Sequence, residues 1–480
     1  MVNTRNALVK KYSPVRELNF TATFSVVVGT VIGGAIFIKA ATMTQEVGRP
    51  ILVICAWIAA GLLSLAGALT YSELGSMLPG AGGDYLYIRT AYGDLMGFLY
   101  GWTQIAVAQT GSIAILGTTF ALFLSSFLPT TNIWYEHTFH LIGGEIRWSI
   151  GLQQVVAIVV ILCLSIVNCL GVALGGRVQS ALTMAKILCM IFITLGMFLI
   201  SGSGEWEHFR SAYHTNKWQG MSAFGAAMVS ALWVYDGWNC GAMVAGEVKN
   251  PGRNIPRALI LGLLVVIVIY VLINLGYFYA LPATEIITSS SDAYPDALPV
   301  AMKATRSFLG PVGIEFVSLM VMLSVLGSLN GAILASARIP FAMARDKLFF
   351  SRIGKLSDET RAPIWAIGLQ ALWASILAIS GTFDQLTTFV VFALWIFYVL
   401  ATGSVFVLRR KLPDTKPSYR TLGYPFTPLI FMLVAGWLLV NTLWTSPIES
   451  IKGLVLIAMG LPMYLYFQWA HRDSHVTGNA

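Results

Sequence analysis

Charge is scarce in this chain: only 11% of its 480 residues are Asp, Glu, Lys or Arg, where an ordinary soluble domain carries about a quarter. A soluble protein of this length would hold about three domains, and so few charges could not coat three cores. Disorder is excluded too, because the chain has 26 Phe, 18 Tyr and 14 Trp and disordered chains carry few aromatics. Histidine is missing from every long apolar run: His137, His140, His208, His214, His471 and His475 fall in loops or the C-terminal tail. A haem or membrane-embedded zinc therefore lacks its usual ligands, and no metal or cofactor is expected. Cysteine is equally sparse. Cys55, Cys163, Cys169, Cys189 and Cys240 sit within or at the edge of apolar runs with no CxxC pair, and they read as small buried hydrophobes.

What is present is apolar sequence, 56% of the chain. A bilayer core about 30 Å thick needs about 20 apolar residues per helix. Twelve such runs occur, at 19–40, 51–72, 94–125, 149–170, 178–201, 222–245, 256–281, 312–337, 364–382, 384–408, 425–445 and 451–470. The expected fold class is an all-α integral membrane protein with 12 transmembrane helices, embedded in a lipid bilayer. The longest polar interval, Pro282 to Pro311, is too short for a soluble domain, so the chemistry is expected in or beside the membrane. The first run follows a charged tail (Arg5, Lys10, Lys11, Arg16) and continues into a full span, unlike a cleavable signal.

The formal net charge of +8 invites a nucleic-acid reading. The distribution of the 30 basic residues argues against it. With the N-terminus inside, 21 lie in cytoplasmic segments, eight in external ones, and Lys186 within a span. This is the positive-inside bias, and it predicts cytoplasmic N- and C-termini in the cell membrane. The basic excess then follows anionic lipid, with no nucleic acid as partner.

Two spans are interrupted. Span 1 carries Gly29, Gly33 and Gly34 in VVVGTVIGGAIFIKA; span 6 carries Asp236-Gly237, with Gly241 one turn on, in ALWVYDGWNCGAMVAGE. Mid-helix glycine and a membrane aspartate are both costly. The cost falls where a helix unwinds against a polar cavity. Spans 1 and 6 are five apart, the spacing expected of an inverted-repeat transporter. Repeats over 19–201 (helices 1–5) and 222–408 (helices 6–10) are predicted, with helices 11–12 over 425–470 and cytoplasmic tails at 1–18 and 471–480. The alternative is that these glycines serve close helix packing alone.

An unwound helix bares N–H groups at one end and carbonyls at the other, which suit an anion and a cation respectively. A free amino acid carries both charges. The N–H groups of Gly33, Gly34 and Ala35 are predicted to take its carboxylate, and the carbonyls of Val31, Trp233 and Asp236 its ammonium. Trp233, one turn before Asp236, can close over the site as a gate, or pack against lipid as many membrane Trp residues do. Asp236 either recognises positive charge or caps N–H groups of the outer half-helix. Lys186 is the only basic residue well inside a span. It can bridge span 1 to span 8 near Gly29 and Ser324 or Ser328, titrate as a proton carrier, or snorkel to the cytoplasmic face.

GTVIGGAIF in span 1, GGDYLY after span 2, WVYDGWN with GEVKNPGRNIPRAL around span 6, and GSLNGAILASAR in span 8 together resemble the L-type amino acid transporters. These are the light subunits of heteromeric transporters and their bacterial homologues, in the amino acid–polyamine–organocation superfamily. The resemblance implies a LeuT-like 5+5 inverted repeat with helices 1 and 6 broken at mid-membrane. It also implies sodium-independent amino acid exchange by alternating access, and no enzymatic activity. Val31, Ile32, Gly33, Gly34 and Ala35, with Trp233, Val234, Tyr235, Asp236 and Gly237, become the expected substrate-binding set. Lys186 takes the place of a sodium ion, touching Gly29 and Ser324. Ala108, Ser112, Val390 and Trp395 become side-chain pocket positions. The family's Gly-Ser-Gly is here Gly33-Gly34-Ala35, which removes a hydroxyl and adds a methyl. The loop between spans 3 and 4 has no cysteine, so no disulfide-linked heavy subunit is expected.

Exchange of neutral L-amino acids is the first reading, and proton-coupled uptake through Lys186 the second. An intramembrane aspartyl protease is a remote third, since Tyr235-Asp236 matches one signature and Ala81-Gly82-Gly83-Asp84 only approximates the other. A channel lacks the rings of charge or carbonyl loops that a filter needs.

Overall fold

A computed structural model describes residues 15–128, 132–141, 144–211, 220–291, 293–380, 383–445 and 447–476. The chain begins with α1 (Phe20–Val31), followed by α2 (Ala40–Val47), α3 (Pro50–Met77), α4 (Asp84–Tyr92) and α5 (Asp94–Leu124). Next come α6 (Leu152–Cys169), α7 (Val172–Leu199), α8 (Met221–Val234), α9 (Cys240–Met243), α10 (Pro251–Ala280) and α11 (Val312–Ser336). The last are α12 (Ile364–Ser380), α13 (Phe383–Lys411), α14 (Phe426–Thr445), α15 (Pro447–Ala458) and α16 (Gly460–Val476).

Among the described residues, nine helices are long and apolar enough to cross a membrane, and three apolar helices are shorter. Two of the short ones are α1 and α8, the segments that carry the predicted interruptions. At 12 residues, α1 is about 18 Å long, little more than half a bilayer core. Its start follows from Asn19, whose extended backbone and side-chain oxygen, 2.9 Å from Ala22 N, form an N-cap. Pro50 and Pro251 occupy the first turns of α3 and α10, where a missing N–H costs nothing.

The core is one continuous apolar cluster through most helices, with a smaller one where α5, α6, α11 and α12 meet. Leucines such as Leu188, Leu199 and Leu433 point outward and are exposed, as expected of faces that meet lipid. α1 is enclosed by α7, α10 and α11, while α3 packs along α10, α5 along α11 and α6 along α12.

Two features depart from the sequence reading. The loop between spans 3 and 4 forms an antiparallel hairpin, β1 (Ile133–Leu141) with β2 (Gly144–Gly151), so the chain is not wholly α-helical. The last apolar run divides into α15 and α16 at Met459, and α16 carries the helix on to Val476, into the predicted tail. At the other end, the N–H of Leu18 reaches Glu247 O at 2.9 Å and its carbonyl accepts Lys249 N at 2.8 Å, which fixes the chain where it enters α1.

Two helix breaks around a central cavity

The first break follows α1. Ile32 N still reaches back to Val28 O at 3.0 Å, but Gly33 N turns to Val31 O at 2.8 Å, and a single 3-10 turn (Ala35–Phe37) leads to α2. The second lies between α8 and α9. Tyr235 and Asp236 close the last turn on Ala231 O and Trp233 O, then Gly237 adopts φ +100°. That left-handed backbone favours glycine. A Cβ there would also meet Thr30 backbone and side-chain atoms at 3.3–3.4 Å. The two breaks touch, since the Thr30 hydroxyl lies 2.9 Å from the Gly237 carbonyl. Tyr270 of α10 joins them again, its hydroxyl donating to Val31 O at 2.9 Å and Val234 O at 3.3 Å.

Between the breaks lies a cavity of about 370 Å³, within the range of small-molecule sites. Of the predicted substrate residues, Val31, Gly33, Gly34, Ala35, Trp233, Val234 and Asp236 line it. So do Ala108 and Ser112 of α5 and Trp395 of α13. Three predicted residues do not. Ile32 points its side chain into the core, Tyr235 packs edge-to-face with Trp57 and tilted against Tyr270, and Gly237 lies against Thr30. Val390 is on α13, and its side chain lies outside the described residues.

The main-chain groups of the breaks are unequally engaged. Gly33 N and the Val31 and Trp233 carbonyls already hold protein partners. The Gly34 and Ala35 amides have no acceptor among the described hydrogen bonds, so they are the donors left for an anion.

Lys186, fully buried on α7, lies behind the first break. Its Nζ is 2.8 Å from Gly29 O, 2.7 Å from Ile32 O and 2.8 Å from Ser324 O. The ammonium's three protons thus meet three carbonyls: those of Gly29 and Ile32, which the unwinding of α1 frees from helix bonding, and that of Ser324 on α11. Ser328 adds a hydroxyl 3.0 Å from Gly29 O and 2.9 Å from Ile32 O, and Ser324 one at 2.9 Å from Ile32 O. Snorkelling to a membrane face does not describe this residue. The two readings of Asp236 both keep a contact: its carboxylate meets the Gly237 backbone N–H at the break, while Asn239 starts α9 without a side-chain cap. The Asp236 carboxylate also accepts the Tyr398 hydroxyl at 2.5 Å.

Tyr398 and Tyr270 escaped the sequence reading, because a tyrosine in an apolar span looks like core. Tyr398 falls one turn after Trp395 on the same helix, and both line the cavity. Lys39, near the end of the first apolar run, also reaches the cavity wall, its Nζ 5.4 Å from the Trp233 ring centre.

A bundle of apolar helices enclosing a cavity at two unwound segments has the architecture of a membrane transporter. Residues 18–464 match the family described as amino acid permease. The serine/threonine exchanger SteT of Bacillus subtilis is 32% identical over 452 residues, 94% of this chain and 96% of that protein. The b(0,+)-type amino acid transporter 1 of Mus musculus is 28% identical, covering 98% of this chain and 93% of its own length. The Large neutral amino acids transporter small subunit 2 of Homo sapiens is also 28% identical, over 95% of this chain and 81% of its own. The chain belongs to the amino acid permease family, in its L-type amino acid transporter branch. It is a multi-pass membrane transporter and not an enzyme. Asp84 and Asp236, the two acids of the protease alternative, hydrogen-bond to different partners and share none.

Proposed function

We propose that this protein is a sodium-independent exchanger of neutral L-amino acids that works by alternating access. The observation carrying this reading is the pair of breaks across one cavity. Gly34 and Ala35 line the cavity, and their amides are the donors for a carboxylate, while the Asp236 region offers the negative end for an ammonium. Trp233 forms the gate, and the wall from α5, α11 and α13 receives the side chain. Ser112 and Thr119 give that wall hydroxyls beside apolar Ile115, Leu116 and Val325. This favours small neutral or hydroxylated amino acids, in keeping with the exchanger to which the chain is 32% identical.

The same reading takes spans 1–5 and 6–10 as inverted repeats over 19–201 and 222–408. Support comes from the packing, in which the second, third and fourth helices of each half pair with their counterparts: α3 with α10, α5 with α11, α6 with α12. The charge bias supports both termini in the cytoplasm and residence in the cell membrane. The cysteine-free external loop supports action without a disulfide-linked heavy chain. Lys186 acts as a fixed cation in the place of sodium. A neutral amine would offer two protons to three carbonyls, which weighs against the proton-carrier alternative.

Proteoliposomes preloaded with unlabelled serine should take up labelled serine several-fold faster than empty ones, with sodium present or replaced. Equal uptake from empty vesicles rejects exchange, and uptake that needs sodium rejects the role given to Lys186.

A further inference from the structure

The GGDYLY motif leads to a second buried carboxyl that amino acid binding leaves without a role. Asp84 opens α4 and is fully buried. Its Oδ2 accepts Asn239 Nδ2 at 2.8 Å and the Tyr100 hydroxyl at 3.1 Å. Its Oδ1 has no partner. Asn239 belongs to the break between α8 and α9 and Tyr100 to α5, so this one carboxyl ties the inner segment of helix 6 to two neighbours.

No cation compensates it among the described residues. The nearby arginines pair elsewhere: Arg89 with Asp94 and Asp346, Arg338 with Glu247, and Arg409 with Glu73. The titratable groups that face Asp84 are Tyr71 of α3, Tyr87 of α4, Tyr100 of α5, Asp236 and Cys240 at the break, and Tyr398 of α13. All are neutral or acidic. Burial pushes the Asp84 carboxyl from the ordinary 3.8 up to about 7, against the pull of its Asn239, Tyr100 and Tyr71 hydrogen bonds and with added repulsion from Asp236. A proton on Oδ1 would convert an orphaned acceptor into a donor. The Tyr71 hydroxyl, which faces the carboxyl and favours its ionised form as a donor, would turn to accept that proton.

We propose that Asp84 is a proton-binding site which couples amino acid exchange to pH by setting how firmly the inner segment of helix 6 is held. The proposal rests on the transport reading above. Protonation from water forms an O–H bond on Oδ1 and favours the packed arrangement seen here. Loss of that proton to water leaves a carboxylate that gains by hydration when Asn239 moves away. Exchange requires helix 6 to leave and regain this arrangement, so its rate follows the protonation of Asp84.

The test is serine/serine exchange in proteoliposomes of the full-length protein, with inside and outside at equal pH. For a group titrating near 7, the protonated fraction falls from about 97% at pH 5.5 to about 3% at pH 8.5. Wild-type exchange should change several-fold across this interval with its midpoint near neutrality. Asp84→Asn, which keeps the neutral shape, should exchange at one rate throughout, close to that of the wild type at low pH. Asp84→Glu should keep a pH response with a displaced midpoint. If Asp84→Asn fails to fold, infrared spectroscopy of the wild type replaces it. A protonated-carboxyl stretching band should fade as pH rises through neutrality, and the band should move in Asp84→Glu. A pH profile identical in wild type and Asp84→Asn, or a band unaffected in Asp84→Glu, overturns the proposal. Wild-type protein that exchanges nothing at any pH overturns the transport reading instead.

Discussion

The ammonium of Lys186 sits 2.7 Å from the carbonyl of Ile32, the residue at which the first helix stops. A side chain 154 residues away thus supplies the bond that the helix gives up by unwinding. Because the same ammonium also holds Gly29 and Ser324, it fixes the break against both α7 and α11.

Removing Lys186 should therefore affect the break more than the helix that carries it. Lys186→Ala leaves three buried carbonyls without their charged donor, at a cost of a few kcal/mol. Exchange should fall at least tenfold, read as initial uptake into preloaded vesicles. Lys186→Arg should not restore it, since a planar guanidinium cannot reproduce three converging bonds.

The glycines of the first break are not equivalent. A Cβ on Gly29 would overlap the side chains of Gln179 and Thr183, whereas one on Gly34 meets Val325, Val321 and Thr119 at ordinary contact distances of 3.4–3.6 Å. Gly29→Ala should abolish exchange or folding. Gly34→Ser should fold and transport, with a changed ranking of competitors in an inhibition panel of unlabelled amino acids.

Asp236 and Tyr398 should behave as a pair. Asp236→Asn keeps an acceptor oxygen for the tyrosine hydroxyl, and Tyr398→Phe removes the donor. If the charge itself receives the substrate ammonium, Asp236→Asn should raise the substrate KM well beyond the effect of Tyr398→Phe. Comparable, small increases would assign Asp236 to holding α13 against the break.

How much of this was written in the sequence depends on how far each residue breaks a rule. Gly33-Gly34, Asp236-Gly237 and Lys186 are expensive in an apolar helix, so each announced a special environment. Tyr270 and Tyr398 break no rule, and only the fold reveals that their hydroxyls meet the breaks. The hairpin went unread because its residues were weighed for cysteine rather than for strand alternation. Asp84 was read as half of a protease signature; its burial against Asn239 depends on contacts 155 residues apart in the chain.

On the side where the chain enters α1, Arg338 and Glu247 form a buried pair at 2.8 Å, and the Glu247 carbonyl also receives Leu18 N–H. Arg338 bonds the Leu334 carbonyl as well. Glu247→Gln strands the guanidinium and should cost about 3–5 kcal/mol, measured as a lower unfolding midpoint in detergent. Replacing both partners with apolar residues, Glu247→Leu with Arg338→Met, should lose less than that single change.

The most direct measurement is calorimetric titration of purified wild-type protein with L-serine, with serine methyl ester, and with serinol, which lacks the carboxylate. Main-chain amides at Gly34 and Ala35 that hold the carboxylate should make L-serine bind, and both analogues bind at least tenfold more weakly. Equal affinity for all three compounds would contradict a site built from the first helix break.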